Sequence, residues 1–313
     1  MAKISLKQKL RHKYAAKQIR KWFGSADAKR DAGQTTPDDI IRFDNIIYGA
    51  DKKFRKWQLL DVYRPKSAGT GSTMQKLPVI VIVHGGGWVY GDKDVYQFYS
   101  MKLAQRGFAV VNYSYRLAPE VKFPASLEDT ETVFRWICDN AEQYGFDVQN
   151  VFAAGDSAGA HILTLYASAL TNEAYAENFP FIRKKPLTLK GVALNCGKYK
   201  PDFGIETDKE AAILIEMMMP DGGTPKELQL IDATAHITEK FPPAFVMTSL
   251  GDALKQQAPF ITDALKAAGV RYEFRCYGTE EKPLWHVFHC DPVLPEAAVC
   301  NDDECEFFKK LMN

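Results

Sequence analysis

The chain has 313 residues, with 40 lysines and arginines against 39 aspartates and glutamates, and a formal net charge of +1. Dedicated nucleic-acid-binding proteins usually carry a strong basic excess, so we expect no nucleic-acid partner. Apolar residues make up 46% of the sequence, which is ordinary for a globular protein. No apolar run reaches the roughly 18 to 20 residues that span a bilayer, so we expect no stable membrane insertion.

The N-terminal segment is strongly basic: residues 1–24 carry eight lysines and arginines and no acidic residue. No uninterrupted hydrophobic run follows it, so we expect no signal peptide. Two interpretations remain open. The segment is either a solvated helix that packs its aromatic end onto the domain, or a surface helix that contacts anionic lipid or an acyl substrate.

The six cysteines are scattered and form neither a C-x-x-C pair nor a Cys/His cluster with zinc spacing. We therefore expect free thiols in a reducing, cytoplasmic environment, no metal site and no cofactor.

Strand-like and helix-like segments alternate from about residue 40 onward. The run at 77–83 is β-branched without polar alternation, which is typical of a central strand covered on both faces. Predicted strands cover 41–48, 57–63, 77–83, 108–113, 151–154, 187–194, 243–249 and 270–277. Predicted helices cover 95–105, 127–143, 256–268 and 296–311. This alternation predicts an α/β fold with a mostly parallel, eight-stranded sheet flanked by helices.

Two segments interrupt the alternation, residues 1–40 and 198–240. The second contains a methionine-rich apolar run at 211–219, and methionine fills irregular apolar space. An insertion between strands is a natural lid over a site, and a core helix is the alternative. We predict one domain over residues 1–313, with a helical cap built from these two segments.

Residues 155–159 read Gly-Asp-Ser-Ala-Gly and follow the apolar run 151–154 directly. G-x-S-x-G between a strand and a helix is typical of a nucleophile elbow, a turn that exposes a serine hydroxyl. Ser157 is therefore the candidate nucleophile. A serine hydroxyl needs a base to remove its proton, an acid to orient that base, and N–H donors for the developing oxyanion.

Residues 84–87 read His-Gly-Gly-Gly after the buried strand, and a glycine run allows backbone amides to face a substrate. A phosphate-binding loop is disfavoured because no Walker lysine follows. We assign the oxyanion hole to the backbone N–H groups of Gly85, Gly86 and Ala158. Trp88 and Tyr90 are candidates for the substrate pocket, with plain aromatic packing as the alternative.

Asp252 lies in the loop after the strand at 243–249, and His286 follows the last predicted strand. Active residues of open α/β sheets cluster at such carboxyl ends. The chain order Ser157, Asp252, His286 is the order of an α/β-hydrolase triad. His289 competes with His286 for the role of base.

Residues 84–88, 115–120, 123–125, 155–159, 252–254 and 286–288 together resemble the hormone-sensitive-lipase-type branch of α/β-hydrolase carboxylesterases, the bacterial family IV esterases. The resemblance favours His286 as the base. It implies a Ser157–Asp252–His286 triad, an N-terminal cap, no metal, and hydrolysis of short- to medium-chain acyl esters. Related esterases often pair through the last strand, so a homodimer is possible.

Two further functions stay open on the sequence. An amidase, formamidase or small peptidase could use the same triad, because only the leaving group differs. A non-catalytic receptor for a small ligand, built on the same fold, is a third hypothesis, although such receptors lack the catalytic histidine.

Overall fold

The computed structural model describes residues 5–182, 187–206 and 208–312, and one sheet of eight strands forms its centre. The strands are β1 (Ile40–Ile47), β2 (Leu59–Pro65), β3 (Leu77–Val83), β4 (Ala109–Tyr113), β5 (Phe146–Asp156), β6 (Leu189–Asn195), β7 (Ala244–Ser249) and β8 (Tyr272–Tyr277). Their order across the sheet is β1-β2-β4-β3-β5-β6-β7-β8. β2 pairs antiparallel with β1 and β4, and the other pairings are parallel. The predicted fold class is confirmed.

Ten α-helices surround this sheet in the described part of the chain. They are α1 (Leu6–Arg30), α2 (Gln97–Ala104), α3 (Ala125–Asp139), α4 (Ala141–Tyr144), α5 (Ala158–Thr171), α6 (Glu173–Ala176), α7 (Lys209–Met218), α8 (Pro225–Leu230), α9 (Ala258–Ala267) and α10 (Pro295–Lys309). Short 3-10 helices lie at Lys52–Trp57, Lys66–Ala68, Gly71–Thr73, Lys255–Gln257 and Phe288–Cys290. The predicted helix at 127–143 is divided between α3 and α4, because Asn140 has a non-helical backbone there.

The central strand β3 explains why its sequence shows no polar alternation. Val79 and Val81 pack into one apolar cluster with α3, α5 and α9, whereas Ile80 and Ile82 pack into another with α2 and α10. Successive side chains of a strand point to opposite faces, so a strand covered on both faces is apolar at every position.

α1, α7 and α8 lie outside this alternation. α1 is tied down by Arg20, which forms an ion pair with Glu120 at 2.7 Å and donates to the Val89 carbonyl at 2.8 Å. His12 of α1 contacts Glu216 of α7, with 3.1 Å between Nε2 and Oε2. Met217 and Met218 are buried in the same apolar cluster as α5, so the C-terminal end of α7 is packed against the main domain. The expected cap residues 1–4 and 207 lie outside the described residues.

All six cysteines are free thiols, including the buried Cys300 and Cys305. None of the helices described here is both long enough and apolar enough to cross a membrane.

Candidate active site

Ser157 occupies the sharp turn between β5 and α5, with φ +51° and ψ −117°. The turn requires residues without side chains two positions before and two positions after the serine. A Cβ on Gly159 would lie 2.0 Å from the carbonyl oxygen of Val83, and one on Gly155 would lie 2.8 Å from the Gly159 backbone. The Ser157 N–H donates to the Asn195 carbonyl at 3.0 Å, which holds the turn against the end of β6.

Asp252 and His286 are brought together at the carboxyl end of β7, with 2.7 Å between Oδ1 and Nδ1. The carboxylate is buried and also accepts hydrogen bonds from the Leu254 N–H and the Thr248 hydroxyl, both at 2.8 Å. Burial alone would raise the pKa of Asp252, but the hydrogen bond and charge of His286, together with the hydrogen bonds from Leu254 and Thr248, hold that pKa below its ordinary value. An ionised carboxylate fixes the proton on Nδ1, so Nε2 is left as the proton acceptor.

Ser157 and His286 line one cavity of about 720 Å³. The glycine loop 85–87, four aromatic side chains and five charged side chains also line it. The aromatic residues are Phe23, Tyr90, Tyr96 and Trp285, and the charged ones are Asp27, Lys29, Arg30, Asp156 and Asp291. A volume of this order is typical of sites for small molecules.

The structure corrects the expected oxyanion hole at Gly85. The Gly85 N–H donates to the Tyr96 hydroxyl at 2.9 Å, and that hydroxyl donates to Asp156 Oδ2 at 2.8 Å. The amide is therefore already used inside a buried network. In the part of the chain that is described, the N–H groups of Gly86, Gly87 and Ala158 have no acceptor, and Gly86 and Gly87 line the cavity.

The other histidines near the site have structural surroundings. Burial and the charge of His286 lower the pKa of His289 to about 3, and its ring packs edge-on against Tyr99. His84 stacks on Tyr115 at 3.9 Å between ring centroids, and burial lowers its pKa to about 4. Neither ring lines the cavity. Of the two histidines that the sequence left in competition, His286 is the one that lines the same cavity as Ser157.

Of the two aromatic residues predicted to line the pocket, Tyr90 does so and Trp88 does not. Tyr90 lines the cavity, and its hydroxyl donates to Asp27 Oδ2 at 2.7 Å. Trp88 does not line it: the side chain is buried, and its indole N–H donates to His161 Nδ1 at 3.2 Å. The expectation for Trp88 is therefore wrong, and the packing alternative describes it. Phe23 and Trp285 also line the pocket, and the sequence analysis did not predict this. Phe23 lies in the basic N-terminal segment, and Trp285 directly precedes His286.

Cys196, Asp252 and His286 each offer a metal-ligand atom within 4.8 Å of the other two. Two of these atoms, Asp252 Oδ1 and His286 Nδ1, are hydrogen-bonded to each other at 2.7 Å. Burial and the nearby Asp252 carboxylate raise the pKa of the Cys196 thiol well above its ordinary value. A metal ion bound by all three residues would have to displace the hydrogen bond between Asp252 and His286.

An elbow serine, a paired histidine and carboxylate, and a mostly parallel sheet define the class of the α/β hydrolases. A sequence profile of the BD-FAE family matches residues 60–258. The chain belongs to this family, and the resemblance to α/β-hydrolase esterases inferred from the motifs is confirmed.

Named relatives agree with this assignment. The chain is 28% identical over 236 residues to a versiconal hemiacetal acetate esterase of Dothistroma septosporum, covering 71% of this chain and 70% of the relative. It is 30% identical over 211 residues to the carboxylesterase NlhH of Mycobacterium tuberculosis, covering 63% of each chain. The crystal structure of esterase B from Lactobacillus rhamnosis superposes with a TM-score of 0.85 at 25% identity, covering 96% of both chains. These comparisons support a carboxylic ester hydrolase.

Proposed function

We propose that this chain is a serine carboxylesterase that hydrolyses short- to medium-chain acyl esters through an acyl-enzyme intermediate. The observation that carries the proposal is that Ser157 and His286 face the same cavity while Asp252 holds the Nδ1 side of the imidazole. This arrangement leaves Nε2 as the only ring nitrogen able to accept the serine proton.

In the first step, His286 Nε2 takes the Ser157 proton while Oγ attacks the ester carbonyl. The Gly86, Gly87 and Ala158 amides hold the oxyanion, and each such donor contributes on the order of 3 kcal/mol of transition-state stabilisation. The imidazolium then protonates the leaving alcohol as the tetrahedral intermediate collapses. In the second step, water loses a proton to His286, attacks the acyl carbon and releases the acid.

The cavity walls support apolar acyl or aryl groups as the occupants. Phe23 packs against Tyr90 with 5.5 Å between ring centroids, and Trp285 directly precedes the catalytic histidine. A relative is named for an acetate ester, which supports a short acyl group. We infer that α1 and the segment 198–240 act as the cap, because α1 supplies Phe23 and Leu214 of α7 lies against Gly87.

Nitrophenyl esters from acetate to dodecanoate test the proposal. The wild type should turn over the short members best, and Ser157→Ala should lower kcat/KM by at least about 10⁴-fold with an unchanged melting temperature. Ser67→Ala, an exposed serine far along the chain from the elbow, is the matched control and should keep the wild-type rate.

The same panel includes a nitroanilide matched to the best ester, which addresses the amidase alternative. A larger kcat/KM for the anilide would replace the esterase with an amidase that uses the same residues. Full activity in Ser157→Ala would rule out both the esterase and the amidase mechanism.

We further propose a reducing cytoplasmic location, supported by six unpaired thiols.

A homodimer through β8 is also proposed, because β8 is an outer strand of the sheet and an unpaired strand edge can pair with a second copy. Gel filtration with light scattering tests the dimer, and a monomeric mass would overturn it.

A further inference from the structure

α1 carries apolar residues on two opposite faces. The buried and half-buried face comprises His12, Ala16, Ile19 and Phe23 and packs onto the domain. On the other face, Leu6, Leu10 and Tyr14 are 74%, 60% and 67% exposed. Their spacing of four residues places them in one row along the helix, so this row is a continuous apolar stripe open to solvent.

Five exposed lysines flank the stripe: Lys7, Lys9, Lys13, Lys17 and Lys21. None of them forms an ion pair with any residue that the structure describes, and the first 24 residues contain no carboxylate. The arginines of α1 behave differently, since Arg11 pairs with Glu216 and Arg20 with Glu120. The arginines thus fasten the helix to the domain, whereas the lysines stay available to a partner.

An apolar row between unpaired lysines matches one kind of surface. Anionic headgroups attract the lysines, and the acyl boundary beneath them accepts leucine and tyrosine side chains. A nucleic acid would satisfy the lysines but leave the leucines exposed. We propose that this face of α1, defined by Leu6, Leu10, Tyr14 and the five lysines, docks the protein onto an anionic lipid bilayer.

Docking of this kind is peripheral and needs no spanning helix. The cavity then lies behind α1, about one helix diameter from the bilayer surface, because the inner face of the same helix supplies Phe23, Ala26 and Arg30 to the cavity wall. Leu10 and Phe23 are thirteen residues apart, or roughly 20 Å along a helix. Apolar esters concentrate in bilayers, so an esterase held there meets them at a higher local concentration.

Sedimentation of the full-length protein with vesicles tests the proposal without any ester present, so it does not depend on the catalytic assignment. Vesicles contain phosphatidylcholine alone or with a quarter phosphatidylglycerol, in 0.1 M and 0.5 M salt. We expect binding to the anionic vesicles only, weakened at high salt because screening shortens the reach of the lysines.

Two sets of variants locate the binding surface. Lys9→Gln, Lys13→Gln and Lys17→Gln together should weaken binding roughly 100-fold, since each lysine near such a surface contributes about five-fold. Leu10→Ser with Tyr14→Ser should also weaken it. The matched controls are Lys226→Gln, Lys240→Gln and Lys266→Gln, with the same charge change elsewhere, and Val299→Ser, an exposed apolar residue of α10. Circular dichroism and hydrolysis of a water-soluble ester report that each variant is folded.

Three results would overturn the proposal. The first is no binding to anionic vesicles at low salt. The second is equal loss in the α1 and control sets, which would indicate net charge rather than this face. The third is tighter binding to single-stranded RNA than to anionic vesicles at equal concentration of negative charge. If Leu10→Ser with Tyr14→Ser left that RNA binding unchanged, the face would be a nucleic-acid surface.

Discussion

Asp252→Asn separates the charge of the carboxylate from its hydrogen-bonding geometry. Oδ1 accepts from two N–H groups, those of Leu254 and His286, whereas Oδ2 accepts from the Thr248 hydroxyl. Only the hydroxyl can reverse its role and become an acceptor. The asparagine NH₂ should therefore take the place of Oδ2, and its carbonyl oxygen should stay on His286. The variant keeps the productive tautomer and loses mainly the negative charge.

The magnitude follows from that charge. Unit charges about 4 Å apart interact by about 4 kcal/mol at an effective dielectric constant of about 20. This dielectric suits a pair in which Asp252 is buried and the imidazole is 32% exposed. Loss of the interaction with the transient imidazolium should lower kcat/KM about 10³-fold. A serine protease in which the same exchange imposes the wrong tautomer loses about 10⁴-fold.

The assay is kcat/KM for nitrophenyl acetate at pH 8, with melting temperature as the check on folding. Asp263→Asn, an exposed aspartate of α9, is the matched control and should keep the wild-type rate. An unchanged rate in Asp252→Asn would show that the carboxylate has no catalytic part. A loss well beyond 10⁴-fold in a folded variant would contradict the retained tautomer.

Three further predictions concern stability, measured as the free energy of unfolding in urea. Tyr96→Phe removes the acceptor of the buried Gly85 N–H and the donor to Asp156, and should cost about 2 to 4 kcal/mol. Gly159→Ala should cost at least about 3 kcal/mol, because its Cβ would meet a strand carbonyl at 2.0 Å. Burial raises the pKa of Glu304 to about 7 from 4.5. The folded state then binds this proton more tightly, so the contribution of Glu304 is complete below pH 4.5 and falls by about 3 kcal/mol up to pH 7. Glu304→Gln should remove that fall.

Each of these predictions has a distinct contradicting outcome. Wild-type stability of Tyr96→Phe would mean that Gly85 does not depend on Tyr96 and is free for the oxyanion. A soluble Gly159→Ala variant with wild-type stability would show that the elbow is less tightly packed than described. A stability difference between Glu304→Gln and wild type that stays constant from pH 4.5 to 7 would refute the raised pKa.

The sheet was readable from sequence because its signals are local. The β-branched run of β3 is apolar at every position, and the flanking helices have their own periodicity. The elbow was equally readable, since strand, turn residues and helix follow one another between residues 151 and 171. Chain order then indicated Asp252 and His286, because the carboxyl ends of parallel strands share one edge of the sheet.

What sequence could not supply depends on contacts between distant segments or on the backbone of single residues. Whether the Gly85 amide faces the substrate is decided by Tyr96, eleven residues later, whose hydroxyl accepts its hydrogen. Trp88 has φ +63° and lies buried against His161, whereas Tyr90 two residues later lines the cavity. The pattern of apolar residues in the sequence does not show which of these two side chains faces the cavity. Phe23 lines the cavity because α1 packs beside it. The sequence of a helix does not show where on the domain that helix packs.

The central claim is that Ser157 is an activated nucleophile, and covalent trapping tests it most directly. The protein is treated with a fluorophosphonate, its intact mass is measured, and the modified peptide is sequenced. We predict one adduct, located on Ser157, with labelling slowed at least about 10³-fold in His286→Ala because the hydroxyl then lacks its base. An unlabelled protein, or an adduct on another residue with Ser157 intact, would contradict the account.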